Sequence, residues 1–145
     1  MKAISLWQPW ASLMALGLKK IETRSWGTSY RGPLAIHASK RLVIPPDPEF
    51  KQAIIDLGLA YYEWPLGQVV GICDLYDCIQ IGGERDRRGF ADSIIGYERI
   101  FGDYSLGRFI WVTKNMEKLA EPVKCVGRQG LFEWHCGDQF RARWT

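Results

Sequence analysis

The residues best equipped for chemistry sit together near the N-terminus, in Gly17-Leu18-Lys19-Lys20-Ile21-Glu22-Thr23-Arg24. Read as an extended strand, the segment alternates: Lys20, Glu22 and Arg24 share one face, and Ile21 and Thr23 take the other. Lys19 joins Ile21 and Thr23 unless the chain is still turning out of Gly17. Lysine and arginine together suit an anion, and a carboxylate between them orients them or moves a proton. The plainer reading is a solvated edge strand laced by weak ion pairs. Just upstream lie Trp7, Gln8 and Trp10. An indole can stack on a nucleobase and a glutamine can read its edge; core packing is expected for one of the two tryptophans. His37 follows a run of apolar residues, and its ordinary pKa of about 6.5 permits acid/base work, although a lone histidine also serves as a structural hydrogen-bonder. Tyr30 belongs to a loop with Thr28, Ser29 and Arg31 whose hydroxyls and guanidinium suit phosphate. Arg128 and Gln129 stand between Gly127 and Gly130, where a sharp turn can present both side chains. Lys19, Glu22 and His37 are thus the acid/base candidates. Trp7, Gln8, Trp10, Arg24, Tyr30, Arg128 and Gln129 are the binding candidates.

Charge is distributed unevenly around these residues. The first 45 residues hold seven Lys/Arg against a single acid, Glu22, whereas the remainder holds twelve basic and fifteen acidic side chains. A basic N-terminal third fits a nucleic-acid or nucleotide partner, or simply a solvated face. The seven tryptophans serve a core or stack on bases. The four cysteines, Cys73, Cys78, Cys125 and Cys136, lack paired C-x2-C spacing. A zinc site from Cys125, His135 and Cys136 is conceivable, but packing as reduced small hydrophobes is the expectation, with no metal and no cofactor. P-loop, dinucleotide-binding, HExxH and EF-hand patterns are absent from the sequence. No apolar run reaches the roughly 18 residues of a membrane helix. Gln8 and Pro9 interrupt the N-terminus before a signal-peptide core forms, so a cytoplasmic location is expected.

These side chains need a scaffold, and its elements are legible in outline. One domain over residues 1–145 suits the length. Ala3–Leu6 predicts a strand, and Pro9 opens a helix that runs through Leu16 to a Gly17 cap. Strands follow at Lys19–Trp26 and Pro33–Ala38. Asp47 caps a helix from Pro48, with Phe50, Ala53, Ile54 and Leu57 on one stripe and Gly58 at its end. Gly67–Ile81 predicts a long strand. Gly82–Gly89 is an exposed loop whose arginines are expected to be solvated or, alternatively, to make a flexible phosphate contact. A short helix is expected over 92–101, a strand at Phe109–Thr113, and more β-structure at 117–126 and 130–134. Asp74 and Asp77, three apart on the long strand, should face opposite ways. Short strands with few helices predict a mainly β fold with peripheral α-helices, curved or closed into a small barrel.

The segment Gly17-x-Lys19-x-x-Glu22-x-Arg24 resembles the G-x-K-x-x-E-x-R signature of the ASCH domains, a branch of the PUA-like superfamily. The resemblance continues in Ser5-Leu6-Trp7-Gln8-Pro9-Trp10-Ala11, in Tyr30-Arg31-Gly32-Pro33-Leu34-Ala35-Ile36-His37-Ala38, and in Pro122–Phe132, which is similar to the closing segment of small bacterial and phage members. It implies a single PUA-like β-barrel with a cleft beside the signature and a role in binding RNA or a nucleotide. It also implies an alternative: a small hydrolase, because relatives include amidohydrolases of acetylated cytidine and ribonucleases. In the amidohydrolases the signature glutamate position is a threonine nucleophile. This chain has Glu22 there, and Thr23 turns to the opposite face. A protein-partner adaptor is the third reading.

Overall fold

The computed structural model describes residues 1–135. The chain opens with strand β1 (Lys2–Gln8) and helix α1 (Trp10–Ala15). Strands β2 (Ile21–Arg24) and β3 (Gly32–Leu42) precede helix α2 (Pro48–Asp56). Strand β4 (Gln68–Gln80) leads through a single 3-10 turn at Glu84–Asp86 to helices α3 (Phe90–Ser93) and α4 (Gly96–Ile100). Strands β5 (Phe109–Lys124) and β6 (Phe132–Glu133) complete the fold. The strands form one six-stranded sheet in the order β2-β5-β4-β3-β1-β6. All neighbours are antiparallel except β1 and β3, which run parallel. A parallel pair needs a crossover, and α1 with β2 supplies it. The expected mainly β fold is therefore present, but among the described residues the sheet is open and not a closed barrel. Its β2 edge is occupied by side chains instead of another strand. The Glu98 carboxylate accepts the Lys20 and Ile21 N–H groups, and Arg108 donates to the Thr23 carbonyl. Such covering is a standard protection for an edge.

Local chemistry explains where elements begin and end. Five of the six residues of α1 are buried, so tertiary packing holds this short helix. Gly17 takes φ +76°, the left-handed cap that lets the Leu18 and Lys19 amides both fold back to the Leu13 carbonyl. Strand β2 consequently starts at Ile21 and not at Lys19. Asp47 caps α2 by accepting from the Glu49 N–H at 3.2 Å, as its position predicts. The helix expected over 92–101 is two helices, broken at Ile94 and Ile95, whose backbone is extended. The two β-segments expected at Phe109–Thr113 and 117–126 are one strand. The polar Lys114-Asn115 pair resembles a turn, but Asn115 absorbs the irregularity at φ +56° and the β4–β5 register shifts instead.

The core has two faces. Ile4, Leu6, Leu34, Ile36, Leu75 and Trp111 pack with Met14 of α1. Ala3, Ala35, Val69, Ile72 and Phe132 form the other cluster, joined by Trp134. Leu13, Phe50, Ile54 and Phe101 lock α1 to α2 and to the end of α4. Among the described residues no helix is long and apolar enough to cross a membrane.

Candidate nucleotide site and a second basic cavity

Pairing of β2 with β5 sets Glu22 opposite Trp111 and Arg24 opposite Phe109. Trp111 is buried, donates its indole N–H to the Trp26 carbonyl at 3.1 Å and meets the Trp26 ring edge-on. That rigid backing leaves Glu22 and Arg24 side by side on one face, as alternation predicts. Arg24 Nη1 donates to Glu22 Oε2 at 3.3 Å, while Glu22 Oε1 accepts the Thr23 N–H. The Arg24 guanidinium also lies 5.4 Å from the Trp26 ring centre. Its buried Nε has no partner among the described residues.

Both side chains line a cavity of about 500 Å³, walled by Trp7, Trp10, Phe50, Asp47, Asp103 and Arg108. The two tryptophans differ in kind. Trp10 donates to the Phe101 carbonyl at 2.9 Å and packs edge-on against Phe50 at 5.6 Å. Trp7 is 47% exposed, with the Arg41 guanidinium 4.0 Å from its ring centre. Arg108 is held by the Thr23 and Asp103 carbonyls, with the Asp103 carboxylate 3.5 Å away. Hydrogen bonding from Ser105, with Arg108 nearby, holds the Asp103 carboxyl below the usual carboxylate range. The lining thus has three carboxylates, Glu22, Asp47 and Asp103, and two guanidiniums, Arg24 and Arg108. The expectation of a basic cleft at the signature does not describe it, because Lys19 and Lys20 do not line it.

Lys19 is instead interior. Its ammonium donates to the Ile21 carbonyl and lies 3.9 Å from a Glu98 oxygen. Burial pulls its pKa below 10.5, and the Glu22 and Glu98 charges resist that shift. Gln8 is fully buried: its amide donates to Ser12 Oγ and the Pro65 carbonyl and accepts the Ser12 N–H. Both polar atoms of the Gln8 side chain are used internally, so it holds α1 against β1 and has no edge left to read a base. Tyr30 donates to the Pro33 carbonyl at 2.5 Å and lines neither this cavity nor the one beside His37.

His37, Arg128 and Gln129 fall in a second cavity, of about 880 Å³. Its cations are Lys40, Lys124 and Arg128, with no carboxylate among its described lining residues. Ser5 lines both cavities. It stands opposite His37 in the parallel β1–β3 register, and Ser5 Oγ lies 2.8 Å from His37 Nδ1. His37 Nε2 lies 2.7 Å from the Cys125 carbonyl. A carbonyl only accepts, so Nε2 carries the proton and Nδ1 accepts from the serine hydroxyl. Burial lowers the His37 pKa, opposed by the bond to Cys125. A Cβ on Gly127 would sit 2.6 Å from Ser5 Oγ and 2.7 Å from His37 Cε1. Gly127→Ala should therefore push the pair apart and lower stability by about 1–3 kcal/mol, the usual cost of overpacking; a denaturant titration measures it.

Sequence reading missed Ser5, Arg41, Glu98, Asp103, Arg108 and Lys124. Only Ser5 carried a signal, as a polar residue within an otherwise apolar strand. Arg85, expected as loose charge, is forked onto Asp77 at 2.8 and 2.9 Å, and this pair holds the Asp77 carboxyl low. Among the described residues no group of three or more His, Cys, Asp or Glu is placed to hold a metal ion. Cys136 of the conceivable zinc set lies outside the described residues.

A family model described as the ASCH domain matches residues 4–123. Over 81 residues the chain is 37% identical to activating signal cointegrator 1 of Homo sapiens, and equally to that of Mus musculus. The matched stretch is 52% of this chain and 14% of those relatives, so the chain spans only a small part of their length. The crystal structure of ASCH from Zymomonas mobilis superposes with a TM-score of 0.56 at 14% identity, covering 98% of this chain and 92% of that one. A mutant of the same protein gives the same TM-score and identity over 98% and 95% of the two chains. At that identity the likeness is one of fold.

Proposed function

The chain belongs to the ASCH domain family, and from that premise we propose that it binds single-stranded RNA or a nucleotide, holding one base in the cavity between Trp7 and the Glu22–Arg24 pair. The observation that carries this reading is the pairing of a half-exposed indole with an adjacent acceptor and donor in one cavity. Its volume of about 500 Å³ lies in the ordinary range for small-ligand sites, about 300–1,000 Å³. The base stacks on the Trp7 face away from Arg41. The Glu22 carboxylate accepts from an exocyclic amino group while Arg24 donates to the neighbouring ring nitrogen. Cytosine and adenine offer that pattern on their Watson–Crick edges; uracil does not. The phosphates follow Arg41 and Arg108 at the rim, and the strand continues past Ser5 toward Lys40, Lys124 and Arg128.

Competition between cytidine and uridine oligonucleotides tests the reading, with cytidine expected to win. Glu22→Gln should weaken cytidine binding by about 1 kcal/mol, the low end for a base-edge contact, and narrow the preference. Equal binding of both oligonucleotides would remove the base-edge role. If Glu22 were instead the acid or base of a ribonuclease, the same change would spare binding and cut turnover by about 100-fold or more.

A further inference from the structure

The second cavity holds a group that the RNA reading does not use. We propose that Ser5 and His37 form a nucleophile–base pair that hydrolyses carboxylic esters bearing an anionic group. The geometry joins a nucleophile, a base and a group that orients the base. The serine hydroxyl donates to His37 Nδ1 at 2.8 Å, and the Cys125 carbonyl, 2.7 Å from Nε2, fixes the tautomer that leaves Nδ1 free to take a proton. Phe132 packs edge-on to the imidazole at 6.1 Å and limits its rotation. Gly127 gives the two side chains room to meet. Ser5 is partly buried and lines both cavities.

The lining chooses the substrate. Lys40, Lys124 and Arg128 stand around the second cavity with no carboxylate among its described lining residues. They suit a carboxylate or phosphate on the substrate and disfavour a cationic one. In the first step Ser5 Oγ attacks the ester carbonyl, its proton passes to His37 Nδ1, and the C–O bond to the alcohol breaks. The alcohol leaves with the proton from His37. Water then attacks the acyl-serine, giving a proton to His37; the acyl–Oγ bond breaks, His37 returns the proton to Ser5 Oγ, and the carboxylic acid leaves. Burial keeps the imidazole neutral at neutral pH, the form that can accept the serine proton. The charged and titratable groups beside it are Lys40 on β3, Lys124 at the end of β5, and Cys125 and Arg128 in the segment that follows.

A fluorophosphonate probe on the full chain tests the proposal, since attack by an activated serine displaces fluoride and leaves a stable adduct. One adduct is expected, mapping to Ser5, absent in Ser5→Ala and formed at least about 100-fold more slowly in His37→Gln. In the wild type the labelling rate should rise with pH along a single titration lying below about 6.5, which a merely structural hydrogen bond would not produce. Mono-4-nitrophenyl succinate should be cleaved at least about 10-fold faster than neutral 4-nitrophenyl acetate, and Arg128→Ala should narrow the difference. No adduct, an adduct surviving in Ser5→Ala, or a labelling rate without that pH limb overturns the proposal. RNA binding by Ser5→Ala is measured alongside: retained binding without labelling in the wild type sinks only the esterase, and labelling without binding sinks only the RNA reading.

Discussion

Lys19→Ala should lower the unfolding free energy by about 3 kcal/mol, far more than loss of a surface lysine, because breaking a buried pair leaves its partners uncompensated. The side chain is fully enclosed, its ammonium donates to the Ile21 carbonyl, and the Glu98 carboxylate lies 3.9 Å away. Glu98 in turn accepts the Lys20 and Ile21 amides, so the pair pins the edge strand that carries Glu22 and Arg24. Truncation leaves a cavity where the lysine stem stood and removes the donor from the Ile21 carbonyl. Lys19→Met keeps the stem and should cost less. The pH dependence has a definite sign. Burial holds the folded-state pKa below 10.5, so between the two values the unfolded chain binds more protons. Stability therefore rises with pH through the folded pKa toward 10.5, and that gain is lost as pH falls back. Denaturant titrations of wild type and Lys19→Met across this range isolate the effect, and parallel stability curves would contradict it.

Trp7→Ala and Trp10→Ala should fail in opposite ways. Trp10 is hydrogen-bonded to Phe101 and packed on Phe50 at the junction of α1, α2 and α4. Its removal should cost about 2 kcal/mol of stability, less than a fully buried tryptophan because Trp10 is partly buried, and any loss of RNA binding should follow unfolding. Trp7 stands exposed at the rim under Arg41. Its removal should leave the melting temperature nearly unchanged and weaken RNA by about 1–3 kcal/mol, the value of one base stack. Because stacking carries no charge, the salt dependence should change little. Thermal melts beside fluorescence anisotropy separate the two outcomes.

Much of the scaffold was legible because its signals are local. Asp47 before Pro48 and glycine after the first helix act through neighbouring backbone groups, and the Glu22–Arg24 pairing follows from alternation alone. What escaped depends on contacts distant in sequence. Whether Lys19 follows the strand or the preceding turn was decided by the Leu13 carbonyl, and its burial by Glu98, a residue 79 positions away. The parallel pairing of β1 with β3 brings Ser5 to His37, and no pattern within either segment announces it. The basic N-terminal third read as one cleft, yet the fold divides it: Lys19 turns inward, Arg24 joins a cavity with three carboxylates, and Lys40 joins cations from the C-terminal segment. Barrel closure is likewise a property of edges, and here the outer edge of β2 is taken by Glu98 and Arg108.

In the proposed binding mode a base enters the Trp7 cavity while the phosphates meet the cations around it. Anisotropy of a short labelled cytidine oligonucleotide, titrated with the wild-type chain from low to moderate salt, tests it most directly. With Arg41, Arg108 and Lys40 as phosphate contacts, binding should weaken with a log–log salt slope of roughly −2, from about 0.7 per phosphate on a single strand. Absence of binding at low ionic strength, or binding indifferent to salt, would contradict the account.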